Sequence, residues 1–419
     1  HIAEHLGRDI YDGFWTKQGT GKWHLRDDVI EALKRIKVPN LRWPGGCFAD
    51  YYHWRDGIGD PAKRPKMVNT LWGNVVEDNS FGTHEFMELV KRLGAEPFVV
   101  GNVGSGSVRE MADWWEYLNH PGGSSLADER AANGHREPFR VRWFGVGNES
   151  WGCGGAMRPE YYADLYRRHA EFLRAYERGR RPFRVATGPN VADYNWTEVM
   201  MRQAGGMIDG LDLHYYVVVG PWQKKGAATR FDEREWFDAM KKALRMDELI
   251  TRHSAIMDRH DPQRRVALLV GEWGMWHDVE PGTEPGFLYQ QNTMRDALVA
   301  SSTLDVFASH VQRVRGANIA QTINVLQAMI LTQGERMILT PTYHVFEMYV
   351  PHHDAVRLPH AFLRQSHYAH AGDSIPAVSA TASRDRQGVM HLTVSNLDPN
   401  APRTVEVELR GATATRAEG

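Results

Sequence analysis

The chain has 419 residues, 42% of them hydrophobic and 24% charged, with 50 Lys and Arg against 52 Asp and Glu. That balance leaves no net field to draw nucleic acid or an anionic membrane, and no apolar run reaches the roughly 18 residues needed to cross a bilayer. The length suits a barrel of about 250 residues or more with an accessory domain, and a neutral ligand fits the charge.

Up to about residue 345, short β-forming runs alternate with amphipathic helices, the pattern of βα units around a parallel sheet. In chain order the expected strands are Ile2–Leu6, Asn40–Trp43, Pro97–Gly101, Arg140–Gly147, Phe183–Thr187, Gly210–Tyr215, Val266–Gly271 and Ile319–Leu326. Between them, the spacing predicts a helix over Gly82–Leu93, with Phe86, Leu89, Val90 and Leu93 on one side, Thr83 as N-cap and Gly94 as the stop. A second helix is expected over Pro159–Tyr176, where Tyr162, Leu165, Tyr166, His169, Phe172, Leu173 and Tyr176 recur at steps of three and four. Its aromatics are core. Eight strands with intervening helices predict an α/β fold, a (β/α)8 TIM barrel over residues 1–345.

Beyond about residue 350 the helical period is lost. Val389–Asn396 and Thr404–Leu409 predict strands of a small, incomplete β-sandwich over residues 346–419, and Gly411–Gly419 carries no packing pattern. The chain begins at His1 without a positively charged leader, so no signal peptide is expected and the compartment, cytoplasmic or exported, stays open. Two cysteines, Cys47 and Cys153, are too few for a disulfide framework; both lie beside glycines near expected strand ends, which suits a place in a pocket.

Two apolar runs end in a carboxylate. Phe144-Gly-Val-Gly-Asn-Glu-Ser-Trp151 carries Glu149, and Val270-Gly-Glu-Trp-Gly274 carries Glu272, 123 positions later. A Glu past a strand is ordinarily just its first solvated residue. Here each stands among Gly, Asn or Trp rather than in a charge run, and the pair points to glycoside chemistry: one carboxyl to protonate the leaving oxygen, one to face the developing oxocarbenium ion. In a barrel, reactive residues sit past the C-terminal strand ends, where both would fall.

Taken in order, Glu4-His-Leu-Gly-Arg8, Leu41-Arg-Trp-Pro-Gly-Gly46, Trp54-Arg-Asp-Gly-Ile-Gly59, Phe81-Gly-Thr83 with Glu85-Phe86, Gly147-Asn-Glu149, Asp212-Leu-His-Tyr-Tyr216, Gly271-Glu-Trp273 and Gln321-Thr-Ile-Asn-Val325 resemble family 51 glycoside hydrolases. That family consists mainly of α-L-arabinofuranosidases, with some endo-β-glucanases. The resemblance implies a retaining mechanism with Glu149 as general acid/base and Glu272 as nucleophile, their carboxyl groups about 5–5.5 Å apart. It also implies that Asn148 bonds the 2-hydroxyl, that Tyr216 aims the nucleophile, and that Glu4, Arg42 and Gln321 grip hydroxyls or orient carboxylates. His214 is either a contact or a structural residue. Many family members have Asn where this chain has Cys47, so hydroxyl recognition there does not transfer. Trp72, Trp151, Trp222, Trp273 and Trp276 are candidates for a stacking platform, Trp276 foremost.

The activity implied is an exo-acting α-L-arabinofuranosidase on arabinose-containing hemicellulose saccharides. An endo-β-1,4-glucanase or xylanase with the same carboxylates is the alternative, and a carbohydrate-binding pseudoenzyme the alternative of another class. No cofactor and no metal are expected: His352-His353-Asp354 lacks a ligand spacing to support it. Gly101-Asn-Val-Gly-Ser-Gly106 reads as a strand-end loop and Arg178-Gly-Arg-Arg181 as solvated surface. Family resemblance favours a homo-oligomer.

Overall fold

The computed structural model describes residues 1–419. Its centre is a parallel sheet of seven strands, each paired with the next in chain order: β1 (Asn40–Trp43), β2 (Glu96–Gly101), β3 (Trp143–Val146), β4 (Phe183–Asn190), β5 (Gly210–Val217), β6 (Ala267–Met275) and β7 (Val314–Ile319). The expected first strand is a single bridge, Ile2 to Arg42. It still closes the barrel. Ala3 N donates to Arg42 O (2.8 Å) on one side, and Thr322 N donates to Ile2 O (3.2 Å) on the other. The fold is a (β/α)8 barrel with His1–Glu4 as its first stave.

The last stave lies upstream of its expected position. Val314–Ile319 is polar enough to hide its strand character, whereas the apolar residues of Ile319–Leu326 serve another purpose: Ala320, Val325 and Leu326 pack on Ile2 and Leu6 as a loop across the barrel top. Parallel strands buried on both faces carry apolar runs, and β6 opens on one, Ala267-Leu-Leu-Val270, with all nine of its residues buried.

Helices cover the outside: α1 (Asp27–Arg35), α2 (Thr83–Leu93), α3 (Val108–Asn119), α4 (Pro159–Ala170), α5 (Tyr194–Ala204), α6 (Glu233–His260), α7 (Met294–Ser309) and α8 (Pro341–Tyr349), besides a short helix at Ser125–Ala132. In α2 the buried face includes Phe86, Leu89, Val90 and Leu93 as expected, but Thr83 is the first helical residue and Gly82 the cap, whose N–H donates to Glu85 Oε2 at 2.9 Å. Helix α4 ends at Ala170, short of Tyr176, because its apolar stripe fails there: Phe172 and Tyr176 face solvent.

The tail packs on the barrel. β8 (Val356–Arg357), β11 (Val378–Arg384) and β12 (Met390–Asn396) form an antiparallel sheet, and β9 (His367–His370) with β10 (Asp373–Pro376) a hairpin. Asp305 of α7 accepts bonds from Thr381 Oγ1 (2.6 Å), Ser379 Oγ and Tyr349 OH, and Trp236 of α6 donates to Leu397 O (2.9 Å). Thr404–Leu409 forms no strand, since it is exposed and no neighbouring strand pairs with it.

Candidate active site

Successive strand side chains alternate faces, so Asp212, His214 and Tyr216 of β5 point together into the barrel top. Beside them, the β5–β6 register slips between Val270 and Glu272, a bulge that re-aims the Glu272 side chain. Gly271 permits the approach: a Cβ there would sit 2.1 Å from both Asp212 carboxylate oxygens. Glu149 lies on the loop after β3 with φ 43°, and its carbonyl accepts the N–H groups of Gly152 (2.7 Å) and Gly154 (3.1 Å). The turn is wound around the catalytic candidate.

The two carboxyl groups have unlike surroundings. Glu272 Oε1 accepts from Arg42 Nη1 (3.1 Å) and its Oε2 from Tyr216 OH (2.7 Å). Arg42 also reaches Gly271 O at 3.2 Å and makes a short bond to Asn148 Oδ1. Glu149 Oε1 faces His214 Nδ1 at 2.9 Å, while Nε2 of the same ring lies 3.3 Å from Asp212 Oδ2. A ligand atom from each of Glu149, His214 and Glu272 lies within 4.8 Å of the others. An oxygen of Glu149 and one of Glu272 therefore lie within 4.8 Å of each other, a closeness in keeping with the spacing of about 5–5.5 Å between the carboxyl groups of retaining glycosidases.

Burial, and then the charge of Glu272, raise the Glu149 carboxyl above the usual range, which suits an acid that must hold its proton. Burial opposes a charge on His214, but Glu272, Asp212 and Glu149 outweigh it and push the imidazole up to about 10. A cation thus stands between the carboxylates. Burial, with Glu272 next, keeps Tyr216 a neutral donor.

Glu4 lies deeper. Its Oε1 accepts from Phe48 N (3.1 Å) and Trp72 Nε1 (3.2 Å), and Gln321 donates to its Oε2. Asn148 Nδ2 and Gln321 Oε1 are buried without protein partners, leaving a donor and an acceptor unsatisfied beside Arg42 and Glu4. From Tyr216 an aromatic row runs outward. Trp276 meets Tyr216 edge-on at 5.0 Å, and the exposed Trp222 meets Trp276 edge-on at the same distance. Trp273 is not part of any platform: its ring is buried outside the barrel wall against Phe307 and Phe346. Trp151 is half-buried and donates to Gly188 O at 3.1 Å.

Every site residue expected from sequence, Glu4, Arg42, Cys47, Asn148, Glu149, His214, Tyr216, Glu272, Trp276 and Gln321, comes to this one end of the barrel. Three features were missed. Asp212 buttresses His214, and the alternation Asp-Leu-His-Tyr-Tyr was the available signal. Asp50 accepts the N–H of Asn148 (2.8 Å), Val103 (2.7 Å) and Gly104 (2.9 Å), tying the loops after three strands together; no local signal marks it. Cys47 and Cys153 are bonded to each other, with Cα atoms 5.5 Å apart. Their sulfurs lie 3.8 and 3.4 Å from Glu149 Oε2. A disulfide has no S–H, so these are wall contacts. Away from the site, His352 bonds Ser383 and Thr393.

A (β/α)8 barrel holding two carboxyl groups of unlike environment past its strand ends defines a glycoside hydrolase. Residues 32–235 match the family profile "Alpha-L-arabinofuranosidase 1 domain" and residues 271–419 the profile "Alpha-L-arabinofuranosidase C-terminal domain". The chain is 50% identical, over 100% of its length and 82% of the relative's, to an "Intracellular exo-alpha-L-arabinofuranosidase" of Bacteroides ovatus. Among solved structures, the GH51 arabinofuranosidase of Xanthomonas axonopodis pv. citri superposes with a TM-score of 0.93 at 53% identity, covering 96% of this chain and 81% of that one. The Thermotoga maritima α-L-arabinofuranosidase in its arabinose complex gives 0.81 at 30% identity, over 94% and 81%. This chain belongs to the α-L-arabinofuranosidases of glycoside hydrolase family 51.

Proposed function

We propose that the protein releases terminal α-L-arabinofuranosyl units from hemicellulose-derived saccharides by double displacement. The observation that carries this reading is the short Glu149–Glu272 spacing with donors divided between the two: Arg42 and Tyr216 on Glu272, and a raised carboxyl on Glu149. Glu272 attacks the anomeric carbon while Glu149 protonates the leaving oxygen, giving a glycosyl-enzyme; Glu149 then takes a proton from the water that releases arabinose. Atoms balance, with one water consumed per bond cut.

A furanosyl unit is small and terminal, so the fit is to a closed pocket. Asn148 Nδ2 and Gln321 Oε1, both unpartnered, would take sugar hydroxyls, while Glu4 and Arg42 hold that pair in register. Cys47 contributes wall rather than a hydrogen bond. Trp276 and Trp222 would receive the rest of the saccharide. The names of the relatives speak against an endo-β-glucanase, and the presence of both carboxyl groups speaks against a pseudoenzyme. A product profile on arabinoxylan, arabinan and soluble cellulose side by side tests the reading. Free arabinose with no fall in glucan viscosity is expected; rapid viscosity loss without arabinose overturns it. The exposed Phe362 and Leu363 on the tail are suited to contact between copies, in keeping with a homo-oligomer, which light scattering would detect. No helix is long and apolar enough to cross a membrane.

A further inference from the structure

The mechanism leaves Cys47 and Cys153 without a task, although they occupy the wall beside the acid/base. Both are half-buried rather than sealed in. They belong to different loops, Cys47 to the turn after β1 and Cys153 to the turn wound around Glu149, and they are 106 positions apart. One ligand atom from each of Cys47, Glu149 and Cys153 lies within 4.8 Å of the others. As a disulfide the sulfurs are poor ligands. Once reduced, they become two soft thiolates beside a carboxylate oxygen.

From this juxtaposition we infer that the reduced protein holds a zinc-class cation on Cys47 Sγ, Cys153 Sγ and Glu149 Oε2, a site that opens only when the disulfide is cut. Zinc takes thiolate sulfur at about 2.3 Å and carboxylate oxygen at about 2.0–2.2 Å, with tetrahedral angles that set the sulfurs roughly 3.7 Å apart. The loops already bring all three within that compass. Three protein ligands leave a fourth position for water at the pocket mouth. Soft thiolates select zinc or cadmium over magnesium or calcium. Bound there, the cation occupies the one Glu149 oxygen that His214 does not face, and hydrolysis stops.

The reducing step balances with an external thiol or phosphine reductant. With a phosphine, the S–S bond breaks, two electrons pass to the sulfurs, and water supplies the oxygen of the phosphine oxide and two protons to the thiols. Cation binding releases those protons. The consequence for activity rests on Glu149 as the acid/base; occupation of the site does not.

The test uses the whole chain, oxidised and phosphine-reduced, freed of metal and titrated anaerobically with zinc ions or with cobalt ions alone. One zinc per reduced chain is expected and none per oxidised chain, with a sulfur-to-cobalt charge-transfer band in the reduced sample only. Hydrolysis of an aryl arabinofuranoside should fall by about tenfold or more with zinc in the reduced chain and recover with chelator. Cys153→Ser should lose the band. Glu149→Gln, which keeps the disulfide, should weaken zinc by about tenfold or more. Equal zinc uptake by both redox forms, a reduced chain that takes up no zinc, or near-UV dichroism showing that reduction unfolds the protein would each overturn the proposal. Zinc uptake with undiminished hydrolysis would leave the site standing and sink the role given to Glu149.

Discussion

Gly46→Ala offers a direct probe of the nucleophile. The Gly46 backbone has φ −84° and ψ −110°, outside the helical and extended wells that alanine favours, so a backbone cost adds to the effect of the methyl group. That methyl would lie 2.6 Å from Glu272 Oε1, closer than the 3.0 Å that real Cβ contacts respect. Glu272 must therefore retreat by about 0.4 Å, against the Arg42 and Tyr216 bonds that fix it. A displacement of 1 Å in a reacting group costs on the order of 100-fold, so this one should cost on the order of tenfold in kcat/KM. Overpacking adds about 1–3 kcal/mol of destabilisation. The assay is kcat/KM on an aryl arabinofuranoside alongside Tm. If Gly46→Ala keeps kcat/KM within about twofold of wild type with Tm unchanged, Glu272 is not held where its attack requires, and the reasoning fails.

Three further outcomes are expected. Glu149→Ala should lose about 100- to 10,000-fold on substrates with poor leaving groups and far less on activated aryl glycosides, whereas Glu272→Ala should lose activity on all of them; kcat/KM across a leaving-group series separates the two. Trp222→Ala should raise KM for arabino-oligosaccharides by about three- to tenfold, as loss of an aromatic contact does, and leave small aryl substrates nearly unaffected; a uniform effect would remove Trp222 from the substrate path. Burial depresses His253 from 6.5 to about 4, where its ring bridges Thr197 Oγ1 and Val191 O. A lowered folded pKa means stability present above about 6.5 and lost as pH falls toward 4, so urea midpoints for His253→Gln should fall less steeply over that window than those of wild type.

Where one periodicity ruled, sequence reached the fold. Asn40–Trp43 is a strand over the very residues expected, and β2 to β6 begin within three residues of their expected starts, because buried parallel strands carry recognisable apolar runs. The ends of the barrel were harder. The first stave pairs through one bridge, which no strand pattern encodes, and the last is a polar segment whose neighbours supply its context. Long α6 went unnamed because its apolar face is diluted among many charges. At the site, Glu149, Glu272, Asn148, Arg42 and Tyr216 were legible through motifs. The disulfide was not, since 106 residues separate its halves and two cysteines carry no pairing rule. Nor was Asp50, whose partners are backbone groups of loops that only the tertiary structure assembles.

The seam between the first and last staves sets the order of events during synthesis. Glu4 and Gln321 bond across 317 positions, and closing a loop of that length costs about 5 kcal/mol in chain entropy before any contact repays it. While the chain is being made, residues 1–4 must wait at the edge of an open sheet for nearly the whole barrel to emerge. Glu4 stands on one side of that seam and Gln321 on the other. A nascent chain lacking β7 and its following loop therefore has both carboxylates but not the proposed sugar site, which the final stave completes.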